Sequence, residues 1–368
     1  MSLYSSRLPW NAAPNRFTQR LEQVRRAGAR LLDLTESNPT RAGIAYDEAA
    51  IAGALGDPAA LVYDPSPRGL ARARQAVAGF EHVDPDRVIL TASTSEAYSY
   101  LFKLFADPGA EILAPRPSYP LLEFLTSLDG LTLRHYSLRY QEGWWLDRES
   151  LLRAITPATR AIVVVNPNNP TGSYVTADEF AWLATLGLPV IADEVFRVYA
   201  HATAPAPAPP GIFRLNGLSK LLGLPQMKLA WIVVPDTGGL DAHLHRLDLI
   251  ADSYLSVSAP VQHALPRWLA LQPRFHSAMM DRLSRNLGIL QRMHGLSPLT
   301  VQGGWYGVVR LPVTRTDEEW ALALMDRGVL VQPGYFYDFE ADGYAVVSLL
   351  TPPAAFEEGL QILWHTVS

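Results

Sequence analysis

The sequence predicts an α/β protein in which helices sandwich a mostly parallel sheet, followed by a smaller α+β domain. Two observations lead to this prediction. Short apolar segments recur between helical stretches in the earlier part of the chain, and the pattern changes after about residue 250. Apolar runs that do not alternate with polar residues are typical of parallel strands covered on both faces. A length of 368 residues suits two domains.

The segments expected to form parallel strands define the large domain, which we place at residues 45–255. In chain order they are RVILTAS (87–93), AEILAPRP (110–117), RAIVVVNPNNPTG (160–172), LPVIADEVF (188–196), IFRLNGLSK (212–220) and LAWIVVP (229–235). The proline-rich stretch HATAPAPAPPG (201–211) predicts an extended surface loop between strands.

The remaining segments define the small domain, which we place at residues 1–44, including an N-terminal arm, and 256–368. Residues 262–293 predict one or two long helices, and the last segment, 353–367, predicts a closing helix. The strands expected between them are GGWYGVVRLP (303–312), GVLVQPG (328–334) and YAVVSLL (344–350).

Composition excludes several classes of function. The net charge of −5, without dense runs of Lys or Arg, argues against nucleic-acid and membrane-surface partners. No cysteine is present, His243 and His245 do not share a helix face, and we predict no metal site. No secretory signal and no bilayer-length apolar run are visible. The sequence therefore predicts a soluble cytoplasmic protein.

Polar side chains follow five of the expected strands at the point where each strand ends. They are Ser93-Thr94-Ser95, Pro117-Ser118-Tyr119, the NPNNPTG loop (166–172), Asp193 and Ser219-Lys220. Ligands of open parallel sheets bind beyond the carboxyl ends of the strands. These five strand ends are therefore the candidate functional site.

Each strand end also has a purely structural interpretation. Ser93 and Glu96 fit a capping box, whereas the free amides of Thr94 and Ser95 at a helix N-terminus would suit a phosphate. Asp193 after an apolar run requires a cationic partner, in a site or in a structural ion pair. Lysine is usually a solvated surface residue, so Lys220 alone indicates little.

Taken in order and spacing, these segments resemble the class I/II aminotransferases, which are pyridoxal-phosphate enzymes of fold type I. The resemblance covers nearly the whole chain. It rests on LDLTESNPT (32–40), YDPSPRGLARARQAVA (63–78), PGAEILAPRPSYP (108–120), NPNNPTG (166–172), DEVF (193–196), LSKLLGLPQMKLAW (218–231) and VQPGYFY (331–337).

The resemblance implies roles for the residues at the matching positions. Lys220 would hold pyridoxal 5'-phosphate as a Schiff base and shuttle a proton, and Asp193 would pair with the pyridine nitrogen. Tyr119 would stack on the ring and is grouped with these two as catalytic. Asn169 would hydrogen-bond the ring hydroxyl, and the phosphate would be held by Thr94, Ser95, Ser219 and Lys228.

The resemblance also implies a homodimer with shared active sites. Tyr63 would reach the phosphate of the partner subunit, and the loop 252–260 would project into the partner's site. Candidate substrate contacts are Ser37, Arg41, Arg116 and Tyr254.

The sequence departs from the family pattern at positions that bear on the chemistry. Phe196 stands where the family has a tyrosine that donates to the ring hydroxyl. Lys228 replaces a phosphate-binding arginine and lacks its bidentate geometry, and Gly217 replaces a serine. Val346 stands where the family has the arginine that clamps the substrate α-carboxylate. Either Arg41 or Arg116 substitutes for that arginine, or the substrate has no carboxylate there.

The function implied is a pyridoxal-phosphate-dependent aminotransferase that moves an amino group from a donor, expected to be an amino acid, to an oxo acid in ping-pong half-reactions. One alternative is another reaction on the same cofactor, such as elimination, decarboxylation or oxidation, which Val346 and Phe196 leave open. The second is a non-catalytic cofactor-binding module, which would bind the cofactor without turning over any amine.

Overall fold

A computed structural model describes residues 3–10, 13–203 and 205–368. Its strands, in chain order, are β1 (Leu32–Asp33), β2 (Val88–Thr91), β3 (Glu111–Arg116), β4 (Thr132–Tyr140), β5 (Trp144–Leu146), β6 (Thr159–Val165), β7 (Val190–Asp193), β8 (Phe213–Gly217), β9 (Ala230–Val233), β10 (Ser297–Pro298), β11 (Tyr306–Arg310), β12 (Val329–Leu330), β13 (Gln332–Pro333) and β14 (Tyr344–Ser348).

The helices alternate with these strands through the first part of the chain. They are α1 (Arg16–Arg26), α2 (Glu48–Ala54), α3 (Ala71–Glu81), α4 (Thr94–Phe105), α5 (Leu121–Leu128), α6 (Arg148–Ala154), α7 (Ala177–Ala184), α8 (Leu218–Leu221), α9 (Leu240–Asp252), α10 (Ala259–Arg292), α11 (Asp317–Asp326) and α12 (Pro353–Val367). None of the described helices has the length and apolar character needed to cross a membrane.

The main sheet has eight strands in the order β2-β9-β8-β7-β6-β3-β4-β5. Strands β8, β7, β6, β3 and β4 pair in parallel, and β2 runs in the same direction because β9 lies antiparallel between β2 and β8. The prediction of a mostly parallel α/β sheet is confirmed. The expected parallel direction of 229–235 is wrong, because α8 and a short 3-10 turn bring the chain back from the edge where β8 ends.

Both faces of this sheet are covered by helices, which explains the unalternated apolar runs. In β6, Ala161 and Val163 belong to a cluster that includes residues of α4 and α9. Ile162 and Val164 belong to a second cluster, which includes Phe180 of α7. Successive side chains of a strand point to opposite faces, so both sets must be apolar.

The smaller unit contains a four-stranded antiparallel sheet in the order β10-β11-β14-β13. The segment predicted as one or two helices is a single helix, α10, which contains Pro266 and Pro273. The predicted strand 328–334 is divided into β12 and β13, and β12 pairs in parallel with β1. We keep the division into 45–255 and 1–44 plus 256–368 as a proposal, which the β1–β12 pairing supports.

The proline-rich segment 201–211 contains no helix or strand among the residues described, and position 204 lies outside them. It lines one side of a cavity of about 940 Å³, with the last turns of α10 on another side.

Candidate active site

Strand direction brings the predicted residues to one edge of the sheet. Strands β2, β3, β6, β7 and β8 point the same way, so their carboxyl ends lie along a single edge. The neighbours β7 and β8 carry Asp193 at the end of one and Lys220 just after the other.

Asp193 lies at the end of β7, where it is partly buried and held by two donors. The Tyr98 hydroxyl donates to Asp193 Oδ2 at 2.9 Å, and the Val195 amide donates to Oδ1 at 3.1 Å. Burial raises the pKa of the Asp193 carboxyl, while the two donors and the positive charge of Lys220 oppose that rise. A carboxylate in this position is suited to a cationic partner.

Lys220 lies in α8 directly beyond β8, with its amine between two aromatic rings. Nζ is 4.9 Å from the centroid of the Trp305 ring and 5.4 Å from that of Phe196. Among the described residues it has no hydrogen-bond or ion-pair partner. Burial lowers the pKa of Lys220 to about 8, and the charge of Asp193 opposes this shift. The neutral, nucleophilic fraction of this amine near neutral pH is therefore much larger than that of an ordinary lysine.

The backbone under Lys220 is fixed from a neighbouring loop. The Tyr199 hydroxyl donates to the carbonyl of Lys220 at 2.6 Å, and the Tyr199 ring packs edge-on against Trp305 with centroids 5.2 Å apart. Gly217 allows β8 to approach β9, because a Cβ there would lie 2.7 Å from the Cβ of Ala230. The serine that the family has at this position would not fit here.

A buried ionic network includes Glu194, the residue that follows Asp193. Glu81 accepts from Arg197 at 3.0 Å and from Arg214 at 3.2 Å, and its other oxygen accepts from the Trp231 indole at 3.1 Å. Arg197 also pairs with Glu194 at 3.1 Å. These contacts link α3, β8 and β9 to the residue that follows Asp193, so they fix the end of β7.

The NPNNPTG loop packs against β7 and the segment after β3. The Asn166 amide donates to the Asp193 carbonyl at 2.7 Å, and the side chain of Asn168 donates to the Pro117 carbonyl at 3.0 Å. Gly172 has φ +69°, and a Cβ there would lie 2.5 Å from the carbonyl oxygen of Gly303. Asn169 Oδ1 is buried without a hydrogen-bond partner.

The N-terminus of α4 has both features expected from its sequence, a side-chain cap and free backbone amides. Ser93 caps the helix by accepting from the Glu96 amide at 3.2 Å, while Glu96 accepts from the Ala92 amide at 2.6 Å. The amides of Thr94 and Ser95 have no acceptor among the described residues, so they are free to bind an anion.

The structure also places the remaining candidates. Ser219 is partly buried next to Lys220, and Lys228 is exposed with a left-handed backbone at φ 51°. Tyr63 is exposed on the segment after a short 3-10 turn, and Tyr254 packs on Tyr100 with ring centroids 5.3 Å apart.

The candidate substrate residues lie in different surroundings. Arg41 is exposed and has no ion pair with a described residue, whereas Arg116 pairs with Glu340 at 2.9 Å. Ser37 and the half-exposed Tyr119 both lie close enough to the Tyr306 hydroxyl to affect its pKa. Val346 is fully buried.

Sequence reasoning missed Tyr98, Trp305 and Tyr306. Tyr98 follows Thr94 by one helical turn. The helix predicted within 91–105 therefore places both residues on one face, and this spacing could have identified Tyr98 as a site residue. Trp305 and Tyr306 belong to the small sheet, and no local pattern in the sequence connects them with Lys220.

Comparison with known proteins identifies the family. The family model for class I and II aminotransferases matches residues 34–352. Nicotianamine aminotransferase A of Hordeum vulgare is 34% identical over 335 residues, covering 80% of this chain and 70% of that protein. The alanine aminotransferase of Mycobacterium tuberculosis is 28% identical over 367 residues, covering 91% and 84%.

A solved structure agrees with this relationship at the level of the fold. The alanine aminotransferase from Pyrococcus furiosus superposes with a TM-score of 0.87 at 24% identity and covers 98% of both chains. The chain belongs to the class I and II aminotransferases, which are pyridoxal-phosphate-dependent enzymes. The predicted family, fold type, amino-group transfer and cofactor are thereby confirmed.

The residues of this chain fit that cofactor. The Asn169 oxygen is buried without a partner. No hydrogen bond or ion pair within the described part of the chain involves the amine of Lys220. Asp193 is a buried acceptor suited to a ring cation, and the free amides of Thr94 and Ser95 are suited to a phosphate.

Proposed function

We propose that this chain transfers amino groups with Lys220 as the residue that holds pyridoxal phosphate and moves the proton. When bound, the cofactor accepts electron density from the carbon that carries the amino group, which makes ping-pong transfer from an amine to an oxo acid feasible. The lowered pKa of Lys220 carries the proposal, because a partly neutral amine can accept the proton from that carbon and later return it.

The other site residues have supporting roles in this proposal. Asp193 keeps the ring nitrogen cationic, which is supported by its burial and its two hydrogen-bond donors. Asn169 hydrogen-bonds the ring hydroxyl, which is supported by its buried side-chain oxygen without a partner. Tyr119 covers the ring. The phosphate is held by Thr94, Ser95, Ser219 and Lys228.

The proposal is tested by reductive trapping. The lysines of this chain are Lys103, Lys220 and Lys228, so borohydride reduction of the loaded protein followed by peptide mass mapping has few possible outcomes. We expect the cofactor on Lys220, and we expect Lys220→Ala to slow transfer by on the order of 10²–10⁴-fold. Lys103→Ala is the matched control. Trapping on Lys103 or Lys228, or full activity of Lys220→Ala, would contradict the assignment.

The same preparation separates transfer from the alternative functions. An amine donor should change the visible absorption of the bound cofactor, and an oxo acid should restore it. A change that no oxo acid reverses would indicate elimination, decarboxylation or oxidation. No change with any amine would indicate a binding module.

We also propose that the protein forms a homodimer with shared active sites and that it is located in the cytoplasm. The dimer is supported by the exposed Tyr63, which lines a surface cavity of about 340 Å³ together with Ser256 of the 252–260 loop. Tyr63 and Tyr254 would then act at the partner's site. The cytoplasmic location stays a prediction from the sequence.

A further inference from the structure

The side of the site formed by the small sheet carries uncharged hydrogen-bonding groups. Strand pairing places Tyr306 opposite Ser348, and Val346 opposite Val308 and Gln332. Directly paired residues share a sheet face, so Tyr306 and Gln332 lie on the face that carries Val346. We call Ser37, Tyr119, Tyr306, Gln332 and Tyr337 the hydroxyl wall.

Contacts among these residues make the hydroxyl wall a single cluster. Ser37 lies close enough to the Tyr306 hydroxyl to lower its pKa, and the Tyr337 hydroxyl donates to Gln332 Oε1. Tyr306 and Tyr337 both lie within electrostatic range of Tyr119. Since Tyr119 follows β3 of the large sheet, the cluster spans from the small sheet to the large one.

The hydroxyl wall lies beside the reactive amine. Tyr306 directly follows Trp305, whose ring centroid is 4.9 Å from Lys220 Nζ. The Phe196 ring is 5.4 Å from the same nitrogen, and its centroid is 6.4 Å from that of Tyr306. A substrate whose amino-bearing carbon is within reach of Lys220 therefore has this wall as a neighbour.

The wall carries no positive charge. Burial raises the pKa of Tyr306 to about 12 and that of Tyr337 well above its usual range, so both hydroxyls stay protonated. The carboxylate of Glu36 acts electrostatically on Tyr306 and contributes to this rise in its pKa. No hydrogen bond or ion pair within the described part of the chain brings an arginine or lysine to the five residues.

No hydrogen bond or ion pair of the described residues joins either substitute arginine to the wall. Arg116 is paired with Glu340, which in turn pairs with Arg139 at 2.9 Å. Arg41 is exposed to solvent. A substrate carboxylate against the wall would lose hydration next to Glu36 without gaining a cation, which is unfavourable. A hydroxyl can both donate to and accept from Tyr306, Tyr337 and Gln332.

We propose that the preferred donor is an amino alcohol, in which an uncharged hydroxymethyl group binds the hydroxyl wall where an amino acid would present its carboxylate. This inference rests on the proposed amino-group transfer at Lys220, and it replaces the amino acid expected as donor.

The test compares two ligands that differ in this group alone. The loaded enzyme is titrated with L-alanine and with L-alaninol, and dissociation constants are obtained from the absorbance of the bound cofactor and from the shift in melting temperature. We expect alaninol to bind at least about tenfold more tightly than alanine, because it gains one hydrogen bond and avoids the burial of one charge. Equal binding, tighter binding of alanine, or no binding of alaninol would overturn the inference.

Variants show whether the wall is responsible. Tyr306→Phe and Ser37→Ala should each weaken alaninol binding by about five- to tenfold and weaken alanine binding less, so the preference for alaninol should fall. Val346→Arg should shift the preference towards alanine. Since Val346 is fully buried and that variant can fail to fold, the two milder variants are sufficient to decide. Tyr344→Phe, whose hydroxyl accepts from Arg310 at 3.2 Å, is the matched control.

Failure of this inference is distinguishable from failure of the proposed function. If borohydride traps the cofactor on Lys220 and alanine is the better ligand, only the amino-alcohol preference is wrong. If the cofactor is not trapped on Lys220, the assignment of the lysine is wrong. An unchanged alaninol affinity in both Tyr306→Phe and Ser37→Ala overturns the role of the wall.

Discussion

At the scale of single residues, the proposed chemistry depends on a desolvated carboxylate and a desolvated amine, each of which opposes the pKa shift of the other. Burial raises the pKa of Asp193 and lowers that of Lys220, while the charge of each opposes the shift of the other. The Tyr98 hydroxyl adds a hydrogen bond that favours the charged form of Asp193. Its contribution can be measured separately.

We predict that Tyr98→Phe lowers the rate of amino-group transfer by on the order of tenfold, the effect of removing a hydrogen bond to a charged group. The pKa of Asp193 should rise further, so less of the carboxylate is charged at low pH and the loss should grow as the pH falls in the pH–rate profile. Tyr136→Phe is the control, because it removes a buried hydroxyl that donates to the Val163 carbonyl at 2.9 Å. An identical profile for Tyr98→Phe and the wild type would contradict this role.

The amine of Lys220 should titrate at an unusually low pH. In cofactor-free protein pulsed with acetic anhydride, we expect its acetylation to increase through a midpoint of about pH 8, because burial favours the neutral form. Asp193→Asn should lower that midpoint further, since it removes the negative charge that favours the protonated amine. In the same sample, mass mapping also measures the acetylation of Lys103 and Lys228, which serve as internal references. A midpoint that rises in Asp193→Asn would contradict this pairing.

Residues at the ends of apolar strands were predictable because their position depends only on where each strand stops. Asp193, Asn169 and Lys220 are of this kind, and the structure brings their strands to one edge. Trp305 and Tyr306 were not predictable. Their position against Lys220 is set by packing between two sheets, which leaves no periodicity in the local sequence.

At the scale of elements, two glycines join the NPNNPTG loop to the segment that leads into β11, the strand of Tyr306. The Gly303 amide donates to the Gly172 carbonyl at 2.9 Å, and Gly303 forms a bridge with Ala200. A Cβ on Gly303 would lie 2.7 Å from the Tyr174 hydroxyl, so neither glycine has room for a side chain.

Gly172→Ala should therefore destabilise the protein by about 2–5 kcal/mol, the sum of a left-handed alanine and an overpacked contact. Gly187→Ala is the matched control, because Gly187 has φ +67° with nothing within 4 Å, and it should cost only about 1–2 kcal/mol. Chemical denaturation measures both free energies of unfolding. Equal losses of stability in the two variants would show that the contact with Gly303 does not contribute to the free energy of unfolding.

The apolar pattern located the strands but did not give the direction of β9. A buried strand has the same apolar pattern in either direction, so direction depends on the connection before it. Here α8 and a short 3-10 turn return the chain to the edge it has just left. The same limit applies to α10, whose two prolines were compatible with either one helix or two.

At the scale of the whole molecule, an exposed apolar segment predicts self-association. Leu61 is 90% exposed and Val62 is 68% exposed, and both line the same cavity as Tyr63 and Leu255. Contiguous exposed apolar groups of this kind mark protein–protein contacts.

Replacing both Leu61 and Val62 by Asp should shift the sedimenting species from dimer to monomer, because two charges would be buried at the contact. Val313→Asp is the control, since Val313 is 80% exposed on the small unit and outside that cavity. Sedimentation velocity measures the mass. A dimer that persists in the double variant would place the contact elsewhere.

The antiparallel strand between β2 and β8 has a consequence for biosynthesis. Strand β2, which leads into α4, has β9 as its neighbour in the sheet, and Val88 pairs with Val233 far along the chain. At roughly 5–20 residues per second, a ribosome needs on the order of ten seconds to make the intervening chain. During that interval β2 presents an unpaired edge, and Glu81 lacks Arg214 and Trp231. A nascent chain stalled before β9 should therefore be a substrate for chaperones, and a product truncated there should aggregate.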